Sequence, residues 1–135
     1  MKRILVGFDG SEGSENALNK AMMIIDEYGK LIILAVVPLP SDKNFVDKQT
    51  YHLMKEKAKN LIKNVVHDIG NHSFEIEGMI EEGDIAAKII DTANILKCDV
   101  IVLGSKGASQ LGTYAIGSIA NKVVQYAHIP VMIVR

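Results

Sequence analysis

The residue types with chemistry to offer gather in one stretch, GSKGASQLGTYAIGS at positions 104–118. It follows an apolar run and leads into a helical pattern. Gly104, Gly107 and Gly117 stand where a chain must turn and admit a ligand to its backbone, because glycine accepts positive φ and leaves its N–H groups open. Successive N–H groups in such a loop form a concave nest for an anion. Ser118 adds a hydroxyl, and the following helix adds the positive end of its dipole. The chemistry these residues suit is phosphate binding; an ordinary loop with turn glycines has the same composition. It is not a Walker loop: residues 107–113 read GASQLGT, which puts Thr113 where that motif needs lysine.

A second candidate is Asp9, in GFDGS. A carboxylate repels phosphate but accepts hydrogen bonds from ribose hydroxyls or an adenine amino group. It is equally suited to cap a helix. Glu12 and Glu15 follow, and their charge argues against a phosphate site at this turn.

Asp9 and the glycine loop are 95 residues apart, so the fold must bring them together. Apolar runs at 4–8, 31–37, 100–103 and 131–134 are continuous and rich in Val and Ile. Strands covered on both faces read this way. A fifth run, 73–80, alternates Phe74, Ile76 and Ile80 with Glu75 and Glu77, which predicts a half-exposed edge strand. Four helical stripes lie between: Ala17 to Tyr28, Tyr51 to Ile69, Ile85 to Leu96, and Ile119 to Ala127. Strict β-α alternation predicts an α/β fold, a single doubly wound five-stranded parallel sheet with helices on both faces. Ligands of such sheets bind beyond the carboxyl ends of the strands, where connections diverge. With strand order 3-2-1-4-5, strands one and four are neighbours there. Asp9 and the residues leading into it, Gly7 and Phe8, then share a crevice with Leu103, Gly104 and Lys106.

The bulk properties narrow the partners. The chain has 135 residues, a net charge of −1, 48% hydrophobic and 23% charged residues. One domain, residues 1–135, is expected. The charge argues against nucleic acid. No apolar stretch approaches the ~20 residues of a membrane span, and MKRILVGFDG is not a signal peptide. A single cysteine, Cys98, fits a buried small hydrophobe in a reducing, cytoplasmic setting. Asn71-His72-Ser73 matches a glycosylation acceptor by chance. His52, His67, His72 and His128 show no metal-ligand spacing and read as surface or cap residues.

The sequence resembles the universal stress protein family over its whole length. Gly104, Gly107, Gly117 and Ser118 match that family's G-x2-G-x9-G-[ST] ATP-binding pattern. ILVGFDGS, followed by Ser14, Ala17 and Leu18, resembles its first strand and helix. GDIAAKIIDTANILKCDVIVLGSKG resembles its third helix and fourth strand, and IPVMIVR its last strand. The resemblance implies strand order 3-2-1-4-5 and a dimer. It implies that Asp9 contacts the adenosine part of ATP and that Val36 packs near the adenine. Gly83-Asp84 would open the third helix beside the base. The glycines and Ser118 would hold ribose and phosphates, with Mg2+ as the ion able to accompany them. One departure stands out. Relatives often carry basic residues between the second and third glycines, whereas ASQLGTYAI has none and adds Gly112; Lys106 is the only base of the loop.

The function this implies is an ATP-binding stress-response regulator. The alternative is a slow ATPase or nucleotide-transfer enzyme using the same crevice, although no water-positioning base is evident. A response regulator would need Asp where strand three ends, but Met79-Ile80-Glu81-Glu82 stands there. The acidic DGSEGSE is unsuited to a flavodoxin phosphate loop. The last strand, at a sheet edge and followed only by Arg135, is expected to pair with its copy in a homodimer.

Overall fold

The structure is a computed structural model and describes residues 1–39, 47–106 and 116–135. Nine elements alternate along the chain: β1 (Arg3–Gly7), α1 (Glu12–Ile24), β2 (Lys30–Val37), α2 (Lys48–Ile69), β3 (Glu75–Glu82), α3 (Ile85–Ile95), β4 (Val100–Gly104), α4 (Ser118–Tyr126) and β5 (Val131–Val134). The strands form one sheet in the order β3-β2-β1-β4-β5, with every pair parallel.

The continuous apolar runs are explained by burial on both faces. Ile4 and Val6 of β1 pack with α1 and α2, whereas Leu5 packs with α3 and α4. Leu31, Ile32, Ile33 and Leu34 in β2 are each at most 1% exposed. Burying a side chain of that size contributes roughly 1.5–3 kcal/mol. Among the described residues β3 pairs with β2 alone, and one of its faces carries Glu75 and Glu77, as the alternation predicts for an edge.

Two boundaries differ from the sequence reading. β3 lies two residues later, because its register is set by β2, from Lys30↔Glu75 to Val37↔Glu82. Phe74 instead stacks on His72 with ring centroids 4.8 Å apart. Tyr28 does not belong to the stripe of α1, which ends at Ile24. It sits in the turn before β2 at φ 88° and is 84% exposed. Gly29, next to it, serves close packing instead: a Cβ there would lie 2.7 Å from the Lys2 carbonyl oxygen. Val124, on the predicted stripe of α4, is 47% exposed.

Candidate functional site

A cleft of about 600 Å³ opens at the carboxyl end of the sheet, between β1 and β4. This is within the range of small-molecule sites. Gly7, Phe8, Asp9, Val36, Leu103, Gly104, Lys106, Gly117 and Ser118 all line it. Gly107 lies outside the described residues.

The β1–α1 turn sets one wall. Asp9 does not cap α1; Ser11 does, its hydroxyl accepting from the Ser14 N–H at 3.2 Å. The Asp9 Oδ1 accepts from the Ser11 N–H at 2.9 Å, and the Asp9 N–H donates to the Ser14 Oγ at 3.3 Å. The carboxylate is thereby anchored through one oxygen at the cleft mouth. Gly10 completes the turn at φ +83°.

The β4–α4 connection sets the opposite wall. Ser105 donates its N–H to the Val134 carbonyl at 2.8 Å and accepts from the Gly117 N–H at 2.6 Å. That second bond ties the start of α4 back to the end of β4. α4 then begins with Gly117 as its N-cap and no side-chain cap bond. The other three helices are capped by Ser11, Asp47 and Asp84. The first N–H groups of a helix need partners from outside it. Only in α4 does no side chain supply one among the described residues, and Gly117, Ser118, Ile119 and Ala120 are cleft residues.

The third wall is apolar. β1 stops short of β2: the last bond between them is from the Phe8 N–H to the Leu34 carbonyl at 2.8 Å. Polar backbone groups alternate sides along a parallel strand. The Val37 carbonyl faces β3, where it accepts from the Gly83 N–H at 3.0 Å. Val36 therefore turns its N–H and C=O to the side that β1 has vacated. Ile85 and Ile89 of α3 line the same region. Asp84 is occupied as the cap of α3, accepting from the Ala87 N–H at 3.0 Å.

Sequence reading missed the contribution of α2, whose Met54, Lys57, Ala58 and Leu61 also line the cleft. It also missed Ser11 and Ser14 as lining residues. The stripe containing Met54, Ala58 and Leu61 was visible, but not that its amino-terminal half overhangs the strand ends. That half is fastened by Lys55, whose Nζ lies 2.5 Å from Glu82 Oε1. The bond holds the Glu82 carboxyl below its ordinary range and the Lys55 ammonium above its own. The Tyr51 phenol beside them is pushed up first by burial and then by the neighbouring Glu82 carboxylate. Its oxygen has no hydrogen-bond partner of good geometry among the described residues.

No group of three metal-ligating side chains occurs among the described residues. The four histidines are exposed or partly exposed, and His72 Nε2 meets the Ile69 carbonyl at the end of α2, 3.0 Å away. Cys98 is buried, which pushes its thiol up to about 11 and fits its reading as a small hydrophobe. No helix among the described residues is long and apolar enough to cross a membrane.

Comparison with known proteins gives a consistent picture. The model of the universal stress protein family matches residues 1–135. Universal stress protein YxiE of Bacillus subtilis is 31% identical over 146 residues, covering 98% of each chain. The structure of MJ0577 from Methanocaldococcus jannaschii superposes with a TM-score of 0.81 at 26% identity, over 98% of this chain and 94% of that one. A universal stress protein family protein from Arabidopsis thaliana with AMP bound shares the fold, with a TM-score of 0.69 at 17% identity, over 99% of this chain and 91% of that one.

Proposed function

The chain belongs to the universal stress protein family, and from that premise we propose that it is a cytoplasmic regulator that binds ATP in the cleft between β1 and β4. The observation that carries this reading is the amino terminus of α4 in the cleft wall, which no side chain among the described residues caps. A helix start with open N–H groups favours an anion, and the neighbouring apolar wall suits a base.

The nucleotide lies with its adenine against Val36, Ile85 and Ile89. The Val36 N–H and C=O match the acceptor N1 and donor N6 of adenine. Asp9, held at the Ser11 N–H, accepts from the ribose hydroxyls. The phosphates meet Gly104, Gly107, Gly117 and Ser118, with any Mg2+ carried on the phosphates. An AMP-bound protein of this fold supports the ligand class. A micromolar complex needs about 8 kcal/mol, and four charge-assisted bonds at roughly 1.5–3 kcal/mol each give about 6–12 kcal/mol before association costs, with burial of the adenine adding to them.

Binding without rapid turnover is the expected behaviour. Asp9 is the one carboxylate among the described cleft residues, and its tie to Ser11 leaves it poorly placed as a base for water at the γ-phosphate. Mass spectrometry of the ligand that copurifies with the protein, followed by calorimetry with ATP, tests the reading. An adenine nucleotide bound at micromolar affinity is expected. No adenine nucleotide in the purified protein and no heat at millimolar ATP would overturn it.

A further inference from the structure

Resting on that reading, we infer that Lys57 of α2 supplies a second cationic contact to the nucleotide's phosphates, beside Lys106, the one base of the 104–118 loop. Two rows of α2 face inward. One row faces β3: a Cβ on Gly78 would collide with the Ile62 side chain, and Lys55 continues that row to Glu82. The other row faces the β1–α1 turn, because a Cβ on Gly10 would lie 3.1 Å from Leu61 Cδ1.

Lys57 lies four residues before Leu61 on this second row. It is therefore about one turn, roughly 6 Å, nearer the amino end of α2, and its Cβ tilts further that way. α2 runs back against the direction of the strands, so this turn lies toward the carboxyl end of the sheet, where Lys57 lines the cleft. Lys57 and Lys106 thus approach the cleft from different elements and both line it. Lys106 adjoins the start of α1, its carbonyl oxygen 2.5 Å from where a Gly13 Cβ would be.

The charges leave Lys57 available. Its neighbours Lys55 and Lys59 are paired with Glu82 and Glu56; among the described residues no carboxylate lies within salt-bridge distance of Lys57. Positions 108–116 contain no lysine or arginine, so Lys106 is the one base the loop offers and any further cation comes from another element. Asp9 and Glu12 near the same turn are the competing partners. If balancing them were its whole role, Lys57 would affect every ligand alike.

Calorimetry with adenosine, AMP, ADP and ATP on the unaltered protein, Lys57→Gln and the control Lys59→Gln separates these cases. Lys57→Gln is expected to weaken ATP about threefold to tenfold, the range for a solvent-exposed to partly desolvated charge contact. Adenosine should change less than twofold, and Lys59→Gln should leave both unchanged. Raising the salt should narrow the gap between the unaltered protein and Lys57→Gln. Equal losses for adenosine and ATP, or an ATP affinity unchanged in Lys57→Gln, overturn the inference while leaving ATP binding intact. Failure of the unaltered protein to bind any of the four overturns the functional reading itself, and the inference with it.

Discussion

Gly13 and Gly104 meet backbone to backbone, so that a Cβ on Gly104 would lie 2.6 Å from both the carbonyl carbon and oxygen of Gly13. This contact clamps the first turn of α1 to the end of β4 and keeps the two cleft walls together. Gly104 matches the phosphate-binding pattern, yet its first requirement is packing. Gly104→Ala is expected to destabilise the fold by about 1–3 kcal/mol, the usual cost of overpacking against backbone that cannot yield. Urea denaturation measures it; a loss below about 0.5 kcal/mol would mean that the two segments separate freely.

Asp9 gives a cleaner separation of fold from ligand. Asp9→Asn keeps an oxygen to accept from the Ser11 N–H, so the turn should survive, whereas Asp9→Ala removes that bond. If the carboxylate holds ribose, Asp9→Ala should weaken ATP and ADP by similar factors, about tenfold or 1.4 kcal/mol, because the lost contact is remote from the γ-phosphate. Calorimetry with both nucleotides decides. A loss confined to ATP would place Asp9 at the outer phosphates or their metal ion, and would favour the enzymatic reading.

Acid should loosen α2 through a definable pair. The Glu82 carboxyl is lowered from its ordinary 4.5, chiefly by its bond to Lys55. A lowered carboxyl contributes stability that is present above the ordinary value and lost as pH falls through the folded-state value. Asp99, lowered by the Arg3 and Lys2 N–H groups that it accepts at 2.9 Å, acts in the same direction. Thermal stability should therefore fall as pH drops below about 4.5. Glu82→Gln should flatten part of that fall. Lys55, raised by the same partner, loses its share only as pH rises past its ordinary range. An identical acid profile for Glu82→Gln would show that the pair contributes nothing.

Much of this architecture is legible in the sequence for a physical reason. A strand buried on both faces must be apolar at every position, so β1, β2 and β4 announce themselves; β5 is as apolar but only partly buried, so its run reads alike for a different reason. The parallel order then sends Asp9 and Gly104 to one crevice. What escapes is governed by contacts far along the chain. The register of β3 is fixed by β2, which displaces Ser73 and Phe74 from the strand. The left-handed residue is Tyr28, while the adjacent Gly29 is taken up by its close approach to Lys2. Lys57 belongs to the cleft only because Leu61 packs on Gly10, and no local pattern reports that.

The Tyr28 turn yields its own test. A side chain at φ 88° costs roughly 1–2 kcal/mol relative to an ordinary backbone, and glycine costs about 0.4–1 kcal/mol through the unfolded chain. Because Tyr28 is 84% exposed, little packing is lost on its removal. Tyr28→Gly is expected to stabilise the protein by about 0.5 kcal/mol. A lower melting temperature would mean that the exposed ring makes a contact worth more than the backbone strain.

The last prediction is a two-fold dimer through β5. β5 pairs with β4 on one side, and all four of its residues remain partly exposed. The Pro130 and Val134 carbonyls accept from the Ile101 and Ser105 N–H groups, at 3.0 and 2.8 Å. Even-numbered residues therefore face β4, and by alternation Val131 and Ile133 turn their N–H and C=O groups outward. Such an edge is open to another strand unless something blunts it. A second copy of the same strand, antiparallel across a two-fold axis, would fill both edges at once. Exposed Val124 and Tyr126 on α4, the helix preceding β5, offer further apolar area. Ile133→Pro removes an outward N–H and spares the ladder to β4, whereas Met132→Pro breaks that ladder and should damage the monomer itself. Light scattering of the unaltered protein should give twice 14.8 kDa, and Ile133→Pro should give a folded monomer. A monomeric mass for the unaltered protein at tens of micromolar would rule the dimer out; a dimer undisturbed by Ile133→Pro would move the interface away from β5.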